Sequence, residues 1–175
     1  MGTRFQRNEL IISLADILNM ENVTTLDSSV FGWLSSLVVA AVPPRVTALP
    51  HGCFQYCTAI TEIIVPEGVT DFLYRWNFGY CDNLEVLVWP STLEKTTMET
   101  ARNCSNLKCV ICKSTKATGF NGSNSSMFVY CSTELSIYVP DESVATYKAA
   151  NGWSGYASKI KGKSELPDEY KTYWP

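Results

Sequence analysis

Residues 54–69 read Phe54-Gln55-Tyr56-Cys57-Thr58-Ala59-Ile60-Thr61-Glu62-Ile63-Ile64-Val65-Pro66-Glu67-Gly68-Val69. Residues 78–93 echo them as Phe78-Gly79-Tyr80-Cys81-Asp82-Asn83-Leu84-Glu85-Val86-Leu87-Val88-Trp89-Pro90-Ser91-Thr92-Leu93. Phe54, Cys57 and Pro66 find their counterparts at Phe78, Cys81 and Pro90, at the same offset each time. A fixed period of this kind, in the range of roughly 20–50 residues, marks an array of stacked units, none of which can bury its apolar face alone.

Working outward, an earlier unit runs Phe31, Leu34, Leu37, Ala40, Val42, Pro43, Val46, Leu49. Its step from Phe31 to Phe54 is shorter by a single position than that from Phe54 to Phe78. Leu34 stands in the cysteine slot, so that slot is a packing position. Downstream come Ala101, Cys104, Leu107, Val110 and Cys112, with Lys113 in the proline slot, and then Phe128, Cys131, Ile137, Val139 and Pro140. The step from Ala101 to Phe128 is longer by four positions than the one from Phe78 to Ala101. The surplus falls in 113–126, whose Gly, Ser, Asn and Thr predict a surface loop. Glu134 takes the leucine position with Leu135 beside it, so the last strand is expected to begin out of phase. Val23 and Leu26 match Val46 and Leu49, which starts the repeat phase ahead of five full units.

The ends read differently. Leu10, Ile11, Leu14, Ile17 and Leu18 form one stripe at helical spacing, with Asn8 as N-cap and Glu9 in the first turn. This predicts a capping helix over 8–19. After Pro140, residues 141–150 predict a second helix, and Asn151-Gly152 a stop. Trp153, Tyr156 and Ile160 are expected to pack back on the last unit. The segment 164–175 reads either as a tail laid over the surface or as disordered. The organisation is therefore 1–26 as N-terminal helical cap and start of the phase, 27–140 as the repeat array, and 141–175 as C-terminal capping helix and tail.

The chain has 175 residues, 46% of them hydrophobic, enough to bury a core. A net charge of -3 with no basic block argues against nucleic acid or an anionic membrane as partner. Arg4 and Arg7 precede Leu10-Ile11-Ile12 in the manner of a secretion signal, but Glu9 and Asp16 interrupt the apolar run. The most apolar stretch, 31–42, falls short of the roughly 20 residues a membrane span needs. The chain is thus expected to be soluble, without membrane insertion. Of the seven cysteines, Cys57, Cys81, Cys104 and Cys131 share one repeat position. They read as reduced thiols packed as small hydrophobes, rather than disulfides.

In each unit Ile63 and Val65, or their equivalents, point inward while Glu62 and Ile64 point outward, and the proline ends the strand. The pattern Phe-x-x-Cys-x-x-Leu-x-x-Ile-x-Val-Pro-x-x-Val resembles the BspA-type leucine-rich repeats. The ending 137–150 followed by Trp153 is similar to the way arrays of that family close. The resemblance covers residues 20–160. It implies an α/β repeat fold: a short solenoid with a parallel sheet on one face and helical caps. It also implies a non-enzymatic protein- or glycan-binding scaffold, extracellular or at the cell surface and often tied to adhesion, with no fixed ligand and no cofactor.

By alternation the outward row comprises Val39 and Ala41, Glu62 and Ile64, Val86 and Val88, Cys109 and Ile111, Ser136 and Tyr138. It is apolar for an exposed sheet, which marks either an interaction site or a face covered by the tail or a second copy of the chain. Glu62, Ile64, Val86, Val88, Ile111 and Tyr138 are the candidate binding residues, with a homodimer as the structural alternative. Trp89 falls at an inward position. Cys109 and Cys112 have metal-ligand spacing, but residues three apart on a strand face opposite sides, and Cys112 matches Val65. No metal site is expected. An enzyme would have to use His51, the only histidine, in a turn between units.

Overall fold

The computed structural model describes residues 19–121 and 126–175. The helix expected over 8–19 lies, but for its last residue, outside them. The units that begin at Phe54, Phe78 and Ala101 each supply two short strands, and the first and last one each. The first set is β1 (Ala48–Leu49), β3 (Asp71–Phe72), β5 (Lys95–Thr97) and β7 (Gly119–Asn121); the second is β2 (Glu62–Ile64), β4 (Val86–Trp89), β6 (Cys109–Cys112) and β8 (Ser136–Val139). They pair in parallel as two sheets, ordered β1-β3-β5-β7 and β2-β4-β6-β8-β9, where β9 is Ile160–Gly162. The single sheet expected from the sequence is thus corrected to two. The residues after the proline, such as Asp71 and Phe72, form a ladder of their own.

The registers carry the sequence period: Ile64 lies opposite Val88, and Val88 opposite Ile111, the partners that the repeat assigns. The surplus of the unit that begins at Ala101 divides. Trp89 pairs with Cys112, but Lys95 pairs with Gly119, one position further on, so one extra residue sits in the turn between β6 and β7. Thr97 pairs with Asn121 in that same register, while Ala101 N–H donates to Met127 O, so the remaining three fall after β7. The last strand is not out of phase: Cys109 pairs with Ser136, and Leu135, 3% exposed, fills the core position that Glu134 vacates. The first unit departs instead. Residues 38–41 form no strand, Val39 is exposed, and Ala41, expected outward, is buried in the main core.

That core holds the inward residues Ile60, Ile63, Val65, Leu84, Leu87 and Trp89, and a stack of phenylalanines. Phe31, Phe54 and Phe78 stack at 5.1 and 6.3 Å. Beside them the cysteine slot has a specific use. Cys57 Sγ donates to Phe31 O (3.0 Å), Cys81 to Phe54 O (3.1 Å), Cys104 to Phe78 O (3.0 Å) and Cys131 to Ala101 O (2.9 Å). Each thiol thus ties its unit to the one before by donating to a backbone carbonyl of that unit's turn.

After Pro140 a 3₁₀ turn (Asp141–Ser143) leads into helix α1 (Val144–Ala149). Tyr147 and Trp153, both fully buried, pack edge to face at 4.8 Å, and Trp153 packs likewise on Trp89 at 5.8 Å. The reversal needs Gly152: its φ is +80°, and a Cβ there would lie 2.2 Å from Phe120 Cγ. The chain then adds β9 to the second sheet and ends in 3₁₀ turns at Lys163–Glu165 and Asp168–Tyr173.

Candidate functional site

The outward row predicted from alternation forms as one continuous face. Glu62 lies opposite Val86, Ile64 opposite Val88, Val88 opposite Ile111, and Ile111 opposite Tyr138. It is not open along its length. Val86 (6%), Val88 (1%), Ile111 (0%) and Tyr138 (3%) are buried, together with Cys109 and Leu166, in a second apolar cluster separate from the main core. Its roof is the C-terminal tail, with Leu166 inserted and Tyr170, Tyr173 and Trp174 packed over it. Between the two fates that the sequence leaves open for residues 164–175, the structure has the tail laid on the strand face. Of the six candidate binding residues, Glu62 and Ile64, at the β2 end, stay accessible, and Ile64 is 49% exposed.

Polar contacts pin the tail at both ends. The Tyr173 hydroxyl donates to the Glu62 carboxylate, which holds the phenol protonated and pushes its pKa up to about 12. Lys163 Nζ lies 5.3 Å from the Trp174 ring centre and donates to Pro175 O at 3.1 Å. Asp141 accepts from Ser164 N (3.1 Å) and Oγ (2.8 Å), and these bonds lower its pKa.

A different surface, on the turns, is left in solvent. The residue just before each cysteine slot takes a left-handed backbone: Trp33 (φ 68°), Tyr56 (60°), Tyr80 (61°), Asn103 (58°) and Tyr130 (58°). This conformation is uncommon outside glycine and costs roughly 1–2 kcal/mol per residue. Here it aligns the turns so that each N–H meets a carbonyl of the next unit, as in Trp33 N to Gln55 O (2.7 Å), Tyr56 N to Gly79 O (3.0 Å) and Tyr80 N to Arg102 O (2.8 Å). The side chains then stack outside the core. Trp33 lies on Tyr56 at 4.0 Å and Tyr56 on Tyr80 at 4.5 Å. Where Asn103 interrupts the ladder, the Arg102 guanidinium covers the Tyr130 ring at 5.2 Å, braced by Glu99. Trp76, also left-handed, meets Tyr80 edge to face at 6.4 Å and donates to Glu99 at 2.9 Å. Tyr74 is an insertion: Phe72 pairs with Leu49, but Phe78 matches Phe54 one position later than that register gives. It is 73% exposed, and Trp33 in the first unit (53%) and Tyr130 in the last (69%) are likewise open rings. Sequence reasoning missed this flank because it followed strand alternation. The signal was present in Trp33, Tyr56, Tyr80 and Tyr130, all preceding the same slot.

Cys109 and Cys112 face different cores, Cys109 the roofed cluster and Cys112 the main one. Among the described residues, no group of three or more His, Cys, Asp or Glu side chains is placed to hold a metal ion. His51 packs against Trp76 at 5.4 Å, and among the described residues no side chain hydrogen-bonds to its imidazole.

Burial pushes the Cys57 and Cys109 thiols up to about 12. The folded state then holds protons that the unfolded chain has lost. The contribution of these two thiols is therefore complete below pH 9 and is expected to fall by about 1.4 kcal/mol per pH unit per thiol between pH 9 and 12. Urea unfolding at stepped pH checks this; a flat profile to pH 11 would contradict it.

The family described as BspA type leucine-rich repeat region matches residues 24–150, in six copies, one more than the five full units counted from Phe31. No curated protein matches the chain.

Proposed function

The chain belongs to the BspA-type leucine-rich repeat family, whose members are generally non-enzymatic and often surface-associated, and on that premise we propose that it is a short solenoid serving as a protein-binding module in adhesion at the cell surface. The observation that carries this reading is the division of its aromatic residues. The strand row is roofed by the chain's own tail, whereas Trp33, the end rung of a stacked ladder, and Tyr74 and Tyr130 stand in solvent. Trp, Tyr and Arg are the residue types that dominate protein interfaces. The ladder's ring faces are largely spent on one another, so it offers edges and hydroxyls. Edges suit a protein's apolar side chains, packed edge to face, better than a sugar, which needs an open ring face. Among the described residues, no helix is long and apolar enough to cross a membrane.

The test uses immobilised, purified surface and matrix proteins as a panel. Joint replacement of Trp33, Tyr74 and Tyr130 by Ala is expected to weaken binding at least about tenfold while the melting temperature holds. Unchanged binding by this variant would remove the flank from the function. A second reading rests on exposed Ile64 beside Glu62 at the β2 edge, where an unpaired strand end could pair a second copy of the chain. Ile64→Asp would then abolish a dimer seen by light scattering over a concentration series, and a strict monomer at high concentration would dismiss this reading.

A further inference from the structure

A groove of about 490 Å³ opens between the turn that follows β4 and the turn that follows β6. Its size falls within the range of small-ligand sites, roughly 300–1,000 Å³. The single residue added to the second turn accompanies it, as does Lys113 in place of the proline that shapes the other units. Ser91, Thr92 and Glu94 line one wall; Thr115, Lys116 and Thr118 line the other.

Both walls are held from behind. Ser91 N and Oγ donate to the Glu67 carboxylate at 3.1 and 2.8 Å, and Thr92 Oγ donates to Val69 O at 2.9 Å. On the other side four carbonyls of the turn are tied to the C-terminal segment. The single Tyr147 O–H proton is shared between Ser114 O (3.0 Å) and Lys116 O (2.9 Å), Ser143 Oγ donates to Thr115 O (2.7 Å), and Trp153 Nε1 to Thr118 O (3.3 Å). The turn backbone is therefore fixed before any ligand arrives, which lowers the ordering cost of binding.

Two charged side chains in the lining are uncommitted. Neither Glu94 nor Lys116 makes an ion pair or a side-chain hydrogen bond among the described residues. Their charges sum to zero, so the groove favours no net ionic ligand. Ser91 and Thr92 give their hydroxyl protons to Glu67 and Val69, and Thr118 is tied to Thr96, so what the groove presents is the Thr115 hydroxyl, both donor and acceptor, the accepting Ser91 oxygen, one acceptor-only carboxylate and one donor-only ammonium. The ligand groups that match such a lining at every point are themselves hydroxyls. Half-buried Ala117 adds a small apolar contact for a sugar C–H, whereas Leu93 is 2% exposed and belongs to the main core.

We propose that this groove binds a neutral saccharide unit, at a site separate from the aromatic flank. Glu94 would accept from a pair of adjacent sugar hydroxyls, and Lys116, Ser91 and Thr115 would complete the set.

The test titrates the purified full chain with glucose, galactose, mannose and N-acetylglucosamine, and with glycine and inorganic phosphate as charged controls, read by NMR chemical-shift changes. At least one neutral sugar is expected to bind and to shift the resonances of residues 91–94 and 114–118. Glu94→Gln and Thr115→Val, both at exposed positions, are expected to weaken it at least about fivefold without changing the melting temperature. The Trp33, Tyr74 and Tyr130 triple variant should bind the sugar as wild type does. Four results would overturn the proposal: binding of no neutral sugar at about 50 mM, far weaker than a millimolar site; binding of the charged controls alone; sugar affinity indifferent to both groove variants; or affinity lost only in the flank variant. Because the flank's own test uses protein partners, failure at either site leaves the other standing.

Discussion

Replacing Trp153 with alanine is expected to lower the unfolding free energy by about 3–5 kcal/mol, the range for truncating a fully buried Trp. The indole is 0% exposed and touches three structures at once. Its ring meets Trp89 of the repeat core at 5.8 Å and Tyr147 of α1 at 4.8 Å, and its N–H reaches Thr118 O at 3.3 Å. Removing it opens a cavity where the core joins the C-terminal segment and strands a turn carbonyl. Urea unfolding followed by circular dichroism measures the loss. Trp153→Phe keeps a ring and gives up the hydrogen bond, so its cost should be smaller. A loss below about 1 kcal/mol for the alanine variant would mean that this contact does not anchor the C-terminal segment.

The second large effect concerns the roof. Deleting residues 163–175 removes Leu166, whose burial alone is worth about 1.5–3 kcal/mol. It also uncovers Val86, Val88, Ile111 and Tyr138 as one contiguous apolar strip. The shortened chain is expected to melt several degrees lower and to associate, because exposed strips of this kind seek a cover. Light scattering over a concentration series and binding of a hydrophobic dye read the two effects. A truncated chain that stays monomeric with an unchanged melting temperature would show the tail to be an ornament.

Much of this architecture is legible in the sequence because a repeat states each instruction several times. Phe54, Cys57 and Pro66 mean little singly; their recurrence fixes period, strand and turn. The row Glu62, Ile64, Val86, Val88, Ile111, Tyr138 is likewise legible, since a strand alternates. Its cover was not decidable, because Leu166, Tyr170, Tyr173 and Trp174 occur once and at no repeat spacing. The second sheet escaped because strands as short as Asp71–Phe72 show no alternation. The aromatic flank depends on left-handed turns at bulky residues, which propensity argues against. It holds because neighbouring turns hydrogen-bond to one another, and no single unit contains that information.

The contact between Tyr173 and Glu62 joins residues 111 apart in sequence. To make it, the tail leaves β9 at one edge of the second sheet and crosses the whole row to β2 at the other. Its length is therefore a ruler. An added unit would carry Glu62 about 4.8 Å further away, the spacing of adjacent strands, and a lost unit would bring it as much too near. Repeat arrays lengthen and shorten readily when whole units are duplicated or deleted. In this chain such a change would unseat the roof at its far end, so array length and tail length are bound to change together.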